Sequence, residues 1–196
     1  MHPKVQIVNV VLSAWTNIPL NIERLAYYLP KTIYEPESFA GVIYRRNNPK
    51  ATITMFASGR IVSTGSKSIK LAKQSLVVTA WELTRILQKN IQLKKINVEN
   101  MVSVSSLPYK INLPKFSTKC IKTWYKPELF PAVIYTSLEE SKSLIFASGK
   151  IVSAGATNER MAVSRIRDTV KNLEKFECLE LPTVTLHLKS DRRKST

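Results

Sequence analysis

The side chains able to do chemistry in this chain are wedges and cations rather than acids, bases or nucleophiles. Phe39 and Phe56 are matched by Phe130 and Phe146, which lie 91 and 90 residues further on. Arg45, Ser58, Arg60 and Lys67 flank the first pair, and Ser148 and Lys150 flank the second. A phenyl ring can be pushed between base steps, and such apolar wedges unstack and kink a duplex. Arginine, lysine and serine supply the contacts that grip phosphate oxygens. Sites for making or breaking bonds are poorly provided. GRIVSTGSKS has the composition of a phosphate loop, but five residues rather than four separate Gly59 from Gly65, and Ser66 intrudes before Lys67. His2 and His187 sit near opposite ends without ligand-spaced partners, so no metal site is expected. Cys120 and Cys178 lie outside any C-x-x-C and read as reduced, partly buried thiols. No His–carboxylate or Cys–His arrangement stands out, so the expectation is a binding protein with no cofactor and no enzymatic activity.

Composition points the same way. The chain has 196 residues, is 44% hydrophobic and carries a net charge of +16 with a pI near 10.0. That charge favours a polyanion as partner, nucleic acid ahead of an anionic membrane surface. The apolar runs are short and broken by charge, so no bilayer span is expected. MHPKVQIVNVVLSAWTN lacks the charged start and long apolar centre of a secretory signal. The expected location is the nucleus, or the cytoplasm and nucleoid of an archaeal cell.

Those residues must be positioned by a repeated scaffold. FASGRIVSTGS (56–66) and FASGKIVSAGA (146–156) agree at eight of eleven positions, and YEPESFAGVIYR (34–45) and YKPELFPAVIYT (125–136) at seven of twelve. IVNVV (7–11) lines up with VENMV (98–102), so Asn9 matches Asn100. Four of the five glycines fall into the matched pairs Gly59/Gly149 and Gly65/Gly155. Units of about ninety residues are too long for a solenoid repeat and suit the halves of a pseudosymmetric domain. The expected division is a first repeat over 5–95, a second over 96–183 and a basic tail over 184–196.

Each repeat reads as a strand, a short helix, three strands in quick succession and a long helix. The first strands are expected over 5–13 and 96–105. Asn21 and Asn112 are candidate helix caps, Pro114 suits a first helical turn, and Pro30 is expected to end the first helix. Strands are expected over 39–46, 51–58 and 60–66, with turns at Asn47-Asn48-Pro49 and Ser58-Gly59. In the long helices Leu71, Leu76, Ala80, Leu83 and Leu87, and Ala162, Ile166, Val170 and Leu173, recur at helical spacing as core candidates. Strands in sequence with helices to one side make an α+β fold.

Strand alternation then exposes a problem. Ile53, Met55, Ala57, Ile61 and Ser63 would face the helices, which turns Thr52, Thr54, Phe56, Val62 and Thr64 outward. Asn9 with Val11, Asn100 with Val102, Leu144 with Phe146, and Val152 with Ala154 share that outward face. An outer face should be polar. This one is largely apolar, and every remaining segment is already assigned, so no second layer is left to cover it. A broad open apolar surface marks a binding site. On a strongly cationic protein it suits a duplex minor groove, which offers few polar groups and reads mainly A·T against G·C.

At these residues the chain resembles the TATA-binding protein family, through the doubled F-x-S-G-[KR]-I-V-x-[TA]-G, the doubled Y-x-P-E-x-F and the Asn-x-Val that opens each repeat. The resemblance implies a pseudo-two-fold saddle: a curved, antiparallel ten-stranded sheet with four helices on its convex face. It implies a general transcription initiation factor that binds and bends A·T-rich promoter DNA. Phe39, Phe56, Phe130 and Phe146 would then be the intercalating wedges, and Asn9 and Asn100 would donate to base acceptors at the centre. Val11, Val62, Val102, Val152 and Leu144 would pack on sugars and base edges, with Thr64 bonding near the pseudodyad. Glu128 and Leu129 would dock a partner of the transcription factor IIB type, which brings RNA polymerase.

The chain also departs from the family pattern. Ala154 replaces a threonine and Thr54 a leucine, while Thr136 and Thr157 stand where basic residues are usual. These changes imply a relaxed sequence preference and a phosphate grip weighted toward the first repeat. The alternative is a paralogue acting as a protein-binding adaptor with little TATA specificity, but the four wedges are all retained. A base-excision enzyme with a related saddle would need a further helical domain that this length excludes. Lys67, Lys70, Lys73, Arg85, Lys89, Lys94 and Lys95, against Glu82, make a basic ridge. Its partner would be flanking phosphate, a transcription factor IIA-type or other acidic regulator, or solvent alone. The tail KSDRRKST would be disordered and add non-specific attraction.

Overall fold

The structure, a computed structural model, describes residues 1–137 and 141–181. The first repeat contributes β1 (Gln6–Thr16), α1 (Ile22–Tyr28), β2 (Thr32–Ile33), β3 (Gly41–Asn47), β4 (Lys50–Phe56), β5 (Arg60–Ser66) and α2 (Ile69–Leu87). The second contributes β6 (Leu93–Ser106), β7 (Lys110–Ile111), α3 (Leu113–Lys119), β8 (Thr123–Trp124), β9 (Ala132–Thr136), β10 (Lys142–Phe146), β11 (Lys150–Ala156), α4 (Glu159–Lys175) and β12 (Leu179–Glu180). Ten strands form one curved antiparallel sheet in the order β2-β3-β4-β5-β1-β6-β11-β10-β9-β8, and β12 pairs with β7 apart from it. The order reads the same from both ends, with β1 and β6 paired antiparallel at the centre. The basic tail 184–196 and His187 lie outside the described residues.

Local sequence explains where the helices start. The Asn21 and Asn112 side chains accept from the backbone N–H of Arg24 (2.9 Å) and Lys115 (3.0 Å), as their positions predict. Ser68 and Asn158 do the same for α2 and α4, accepting from Leu71 N–H (3.2 Å) and Met161 N–H (2.8 Å). Pro114 sits in the first turn of α3, where a missing N–H costs nothing. The first helix stops at Tyr28, before Pro30. Leu29 already has extended backbone, as the residue before a proline must.

The helices pack against one face only. There the inward residues of each strand meet the long helices: Ile53, Met55 and Ile61 lie against Leu76 and Leu83, and Ile145 and Ile151 against Ile166, Val170 and Leu173. Ala156 and Ala162 of the second repeat join the first cluster, so the two cores meet across the centre. Two expectations shift. Leu71 is exposed, and Ala72 takes the buried place one residue on, because the core stripe of α2 runs through Ala72, Leu76, Ala80 and Leu83. Ala57 lies beyond the end of β4 in the exposed turn, so alternation no longer applies to it.

Several interior polar groups pair locally, while Ser105 Oγ, Ser153 Oγ and the Nε of Arg46 and Arg165 have no partner among the described residues. Ser63 and Ser75 hydroxyls lie 2.7 Å apart, and Thr79 donates to Ser75 O (2.7 Å). Arg46 is buried, donating to Thr79 Oγ1 and Glu82 Oε2 (both 3.0 Å) and to Asn48 O (2.9 Å). Thus of two adjacent arginines Arg46 is spent inside and Arg45 is left outside. Cys120 and Cys178 are free thiols, and burial pushes the Cys178 thiol up, which keeps it protonated and inert. Among the described residues no helix is long and apolar enough to cross a membrane.

Phe116 is wholly buried, with its ring 5.8 Å from Tyr135 and 6.2 Å from Phe176. Phe116→Ala should cost about 3–5 kcal/mol in denaturant unfolding. Leu71→Ala should change stability by less than about 0.5 kcal/mol. A comparable loss for both would contradict this assignment of core and surface.

Candidate nucleic-acid interface

The outward face is built by register. Across the first repeat Ile43, Thr54 and Val62 stand opposite one another on β3, β4 and β5. Across the second, Trp124, Ile134, Leu144, Val152 and Val104 form the matching row from β8 to β6. Asn9 pairs with Val102 and Val11 with Asn100, which places all four at the centre. Asn9, Val11, Val62, Thr64, Asn100, Val102, Leu144 and Val152 are only half-buried, while their strand neighbours Val10, Ile61, Ser63, Met101, Ile145, Ile151 and Ser153 are buried. The described residues leave this face open.

The phenylalanines meet as pairs because β3 and β4, and β9 and β10, bring their ends together. Phe39 and Phe56 have ring centroids 5.7 Å apart at 64°, and Phe130 and Phe146 6.3 Å apart at 63°. Both are edge-to-face contacts, which hold one ring upright against the other. Phe39 is 41% exposed. The four rings thus stand in two pairs, one pair in each repeat.

The asparagines are oriented by glycines. Gly65 N–H donates to Asn9 Oδ1 (2.8 Å), and Gly155 N–H donates to Asn100 Oδ1 (2.7 Å). Each glycine has positive φ, +90° and +95°, at an irregularity where β5 meets β1 and β11 meets β6. Such a bulge turns an N–H out of the ladder, and glycine accepts that conformation without strain. With both oxygens occupied, the amide N–H donors of Asn9 and Asn100 remain for a ligand that offers acceptors. The sequence exposed the glycine pairs as repeats but gave no hint of this contact, which needs strand register to be seen.

Cations and hydroxyls lie on the rim and the outward face. Arg45 faces outward opposite Thr52, which stands opposite Thr64. Ser58, Arg60, Lys67, Ser148 and Lys150 are all exposed. Thr136, Lys142 and Ala154 form the corresponding row of the second repeat. Ile43, Ile134 and Val104 were not anticipated on this face, and neither were three residues that differ between the halves: Lys142, Trp124 and Trp15. Trp15 is 40% exposed between Arg60 and Lys94 on neighbouring strands. None of these last three repeats between the halves, so repeat matching could not find them. Away from the face, Glu128 and Leu129 are exposed on the segment that leads into β9, Leu129 at 70%.

This face can insert rings, donate hydrogen bonds at its centre and hold anions at its rim. In the row through Val62 the Ser13 hydroxyl donates to Glu99 Oε1, and among the described residues no cluster of His, Cys, Asp and Glu could hold a metal. Comparison with known proteins points to the same kind of molecule. The family described as transcription factor TFIID (or TATA-binding protein, TBP) matches residues 4–89 and 95–176. The TATA-box-binding protein of Pyrococcus furiosus is 35% identical over 179 residues, which covers 90% of this chain and 93% of that protein. That of Thermococcus celer is 34% identical over 177 residues, 90% of this chain and 94% of its own. The solved structure of Methanococcus jannaschii TBP superposes with a TM-score of 0.77 at 29% identity, covering 88% of this chain and 99% of that one. By sequence along both repeats and by the architecture of its sheet, the chain belongs to the TATA-binding protein family.

Proposed function

We propose that this chain is a general transcription initiation factor that lays its open sheet face on the minor groove of A·T-rich promoter DNA and bends it. The observation that carries this reading is the pairing of an uncovered apolar face with two central amides whose oxygens are already occupied. The minor groove of A·T pairs presents only acceptors, adenine N3 and thymine O2, and Asn9 and Asn100 present only donors. A G·C pair adds an amino group that meets those donors and the apolar floor unfavourably.

Magnitudes are consistent with bending. Val11, Val62, Val102, Leu144 and Val152 are half-buried in the free chain. At most about a third of each remains exposed, so covering the rest of all five returns no more than roughly 3–5 kcal/mol at ordinary burial values. Bending a short duplex costs about 1–6 kcal/mol elastically. The apolar floor therefore offsets part of the deformation, and Phe39 and Phe56 wedged at one end, with Phe130 and Phe146 at the other, add the burial of their rings. Arg45, Ser58, Arg60, Lys67, Ser148 and Lys150 hold the backbone, and Thr64 adds a contact near the centre. Thr54 and Ala154 each remove a contact on this face, which relaxes the choice of sequence.

Exposed Glu128 and Leu129 offer a carboxylate beside an apolar anchor, suited to a basic partner of the transcription factor IIB type that brings the polymerase. On the other side of the molecule Lys70 and Lys73 lie exposed on α2, fit for an acidic regulator of the transcription factor IIA type. The protein acts wherever the chromosome lies, in a nucleus or a nucleoid.

An A·T-rich duplex with a fluorophore at each end should show increased energy transfer when the chain binds. Phe56→Ala or Phe146→Ala should each remove about half of that increase, since each leaves one of the two wedge pairs intact. Binding without bending would favour the protein-adaptor reading, and unchanged bending in both variants would reject the wedges. Glu128→Arg and Leu129→Ala should each weaken assembly of a transcription factor IIB-type protein on the DNA complex about tenfold or more, without altering DNA affinity. Equal assembly by these variants would move the partner site elsewhere.

A further inference from the structure

The two repeats can be compared row by row, and one row has changed in a correlated way. In the first repeat the outward residues on β3, β4 and β5 are Arg45, Thr52 and Thr64. In the second, on β9, β10 and β11, they are Thr136, Lys142 and Ala154. Each row holds one cation, but on a different strand. The first repeat carries it on the third strand out from the central pair, the second on the next strand inward. Strands lie about 4.8 Å apart, so the charge has moved by roughly that distance toward the pseudodyad.

The surroundings of Lys142 suit this placement. Along β10 it is exposed and alternates with buried Ser143 and Ile145, so it shares the outward face with Leu144 and Phe146. Its cross-strand neighbour on one side is Ala154, whose methyl group leaves room for a long aliphatic stem to lie over it. On the other side is Thr136, where no charge competes. Lys142, Thr136, Ile134, Trp124 and Lys122 line an open groove of about 670 Å³ on this side of the sheet. Lys122 has a counterpart in the first repeat, Lys31, so it does not account for the difference in charge between the two rows.

We infer that Lys142 is a phosphate-gripping residue of the second repeat alongside Ser148 and Lys150, taking over from position 136 one strand nearer the centre. The inference rests on the DNA-binding reading above. It replaces a grip missing at Thr136 with one at a shifted place, and it makes the two ends of the face unequal, so that the chain holds the two DNA strands at different points. The ammonium group is a point charge with rotatable donors and needs no bidentate geometry to hold a phosphate.

Salt titration of duplex binding reads this directly, because each phosphate contact contributes about 0.9 to the slope of log Kobs against log salt. Lys142→Thr, which copies the first repeat's Thr52, should lower the slope by about 0.9 and weaken A·T-rich and mismatched duplexes by the same factor. Lys142→Arg should keep the wild-type slope. Adding Thr136→Arg to Lys142→Thr should restore it. Lys171→Ala, which removes an exposed cation from α4, should leave it unchanged. An unchanged slope in Lys142→Thr, or a loss confined to one sequence, would overturn the inference while leaving the functional reading in place. A wild-type chain with no salt-dependent duplex binding would instead overturn that reading and the inference with it.

Discussion

Helices cover one face of the ten-stranded sheet, and their hold on the inward side chains is what keeps the opposite face available. Leu76, Leu83, Ile166 and Leu173 fill the space under the strands, and buried hydroxyls such as Ser63 and Ser75 satisfy one another between the layers. The sheet therefore needs nothing from its other side to be stable. Its outward valines, leucine and phenylalanines are free to be chosen for a partner. An apolar surface of this kind would be a liability in water if it were flat and unguarded. Here it is curved and rimmed by Arg45, Arg60, Lys67 and Lys150, and the net charge of +16 disfavours self-association.

The glycine–asparagine contacts carry the same logic to the polar centre. An asparagine amide can point either way, and the two ways present opposite hydrogen-bond faces. Gly65 and Gly155 settle the matter by donating to the oxygens, which turns the amide N–H groups outward. Preorganisation of this sort costs nothing at the moment of binding, because the bulges belong to the fold. It also ties specificity to backbone geometry: a side chain at either glycine would be strained at that φ whatever space surrounded it.

Much of this was legible in the sequence because duplication writes the fold twice. Matching Phe39 to Phe130 and Phe56 to Phe146 located the two ring pairs, and alternation along 52–56 and 61–64 identified the open face without coordinates. The capping asparagines were readable because their role is local. Leu71 was misplaced because helical spacing alone does not say where the centre of a stripe lies, and Ala72 is a small residue that hides in such a pattern. The orientation of Asn9 and Asn100 could not be read at all, since it depends on a register irregularity between strands distant in sequence. Trp15, Trp124 and Lys142 escaped for the opposite reason: a search for repetition passes over whatever is not repeated, and those residues distinguish the two halves.

Whether the open face reads a minor groove can be put to one chemical comparison. An inosine·cytosine pair has the minor-groove surface of A·T, without the guanine amino group, but the major-groove pattern of G·C. Affinity is measured for three duplexes of equal length: an A·T-rich site, the same site with every A·T replaced by I·C, and the same site with G·C. Near-equal binding of the first two and weaker binding of the third is the predicted result. An I·C duplex bound as poorly as the G·C duplex would place recognition in the major groove and contradict the account.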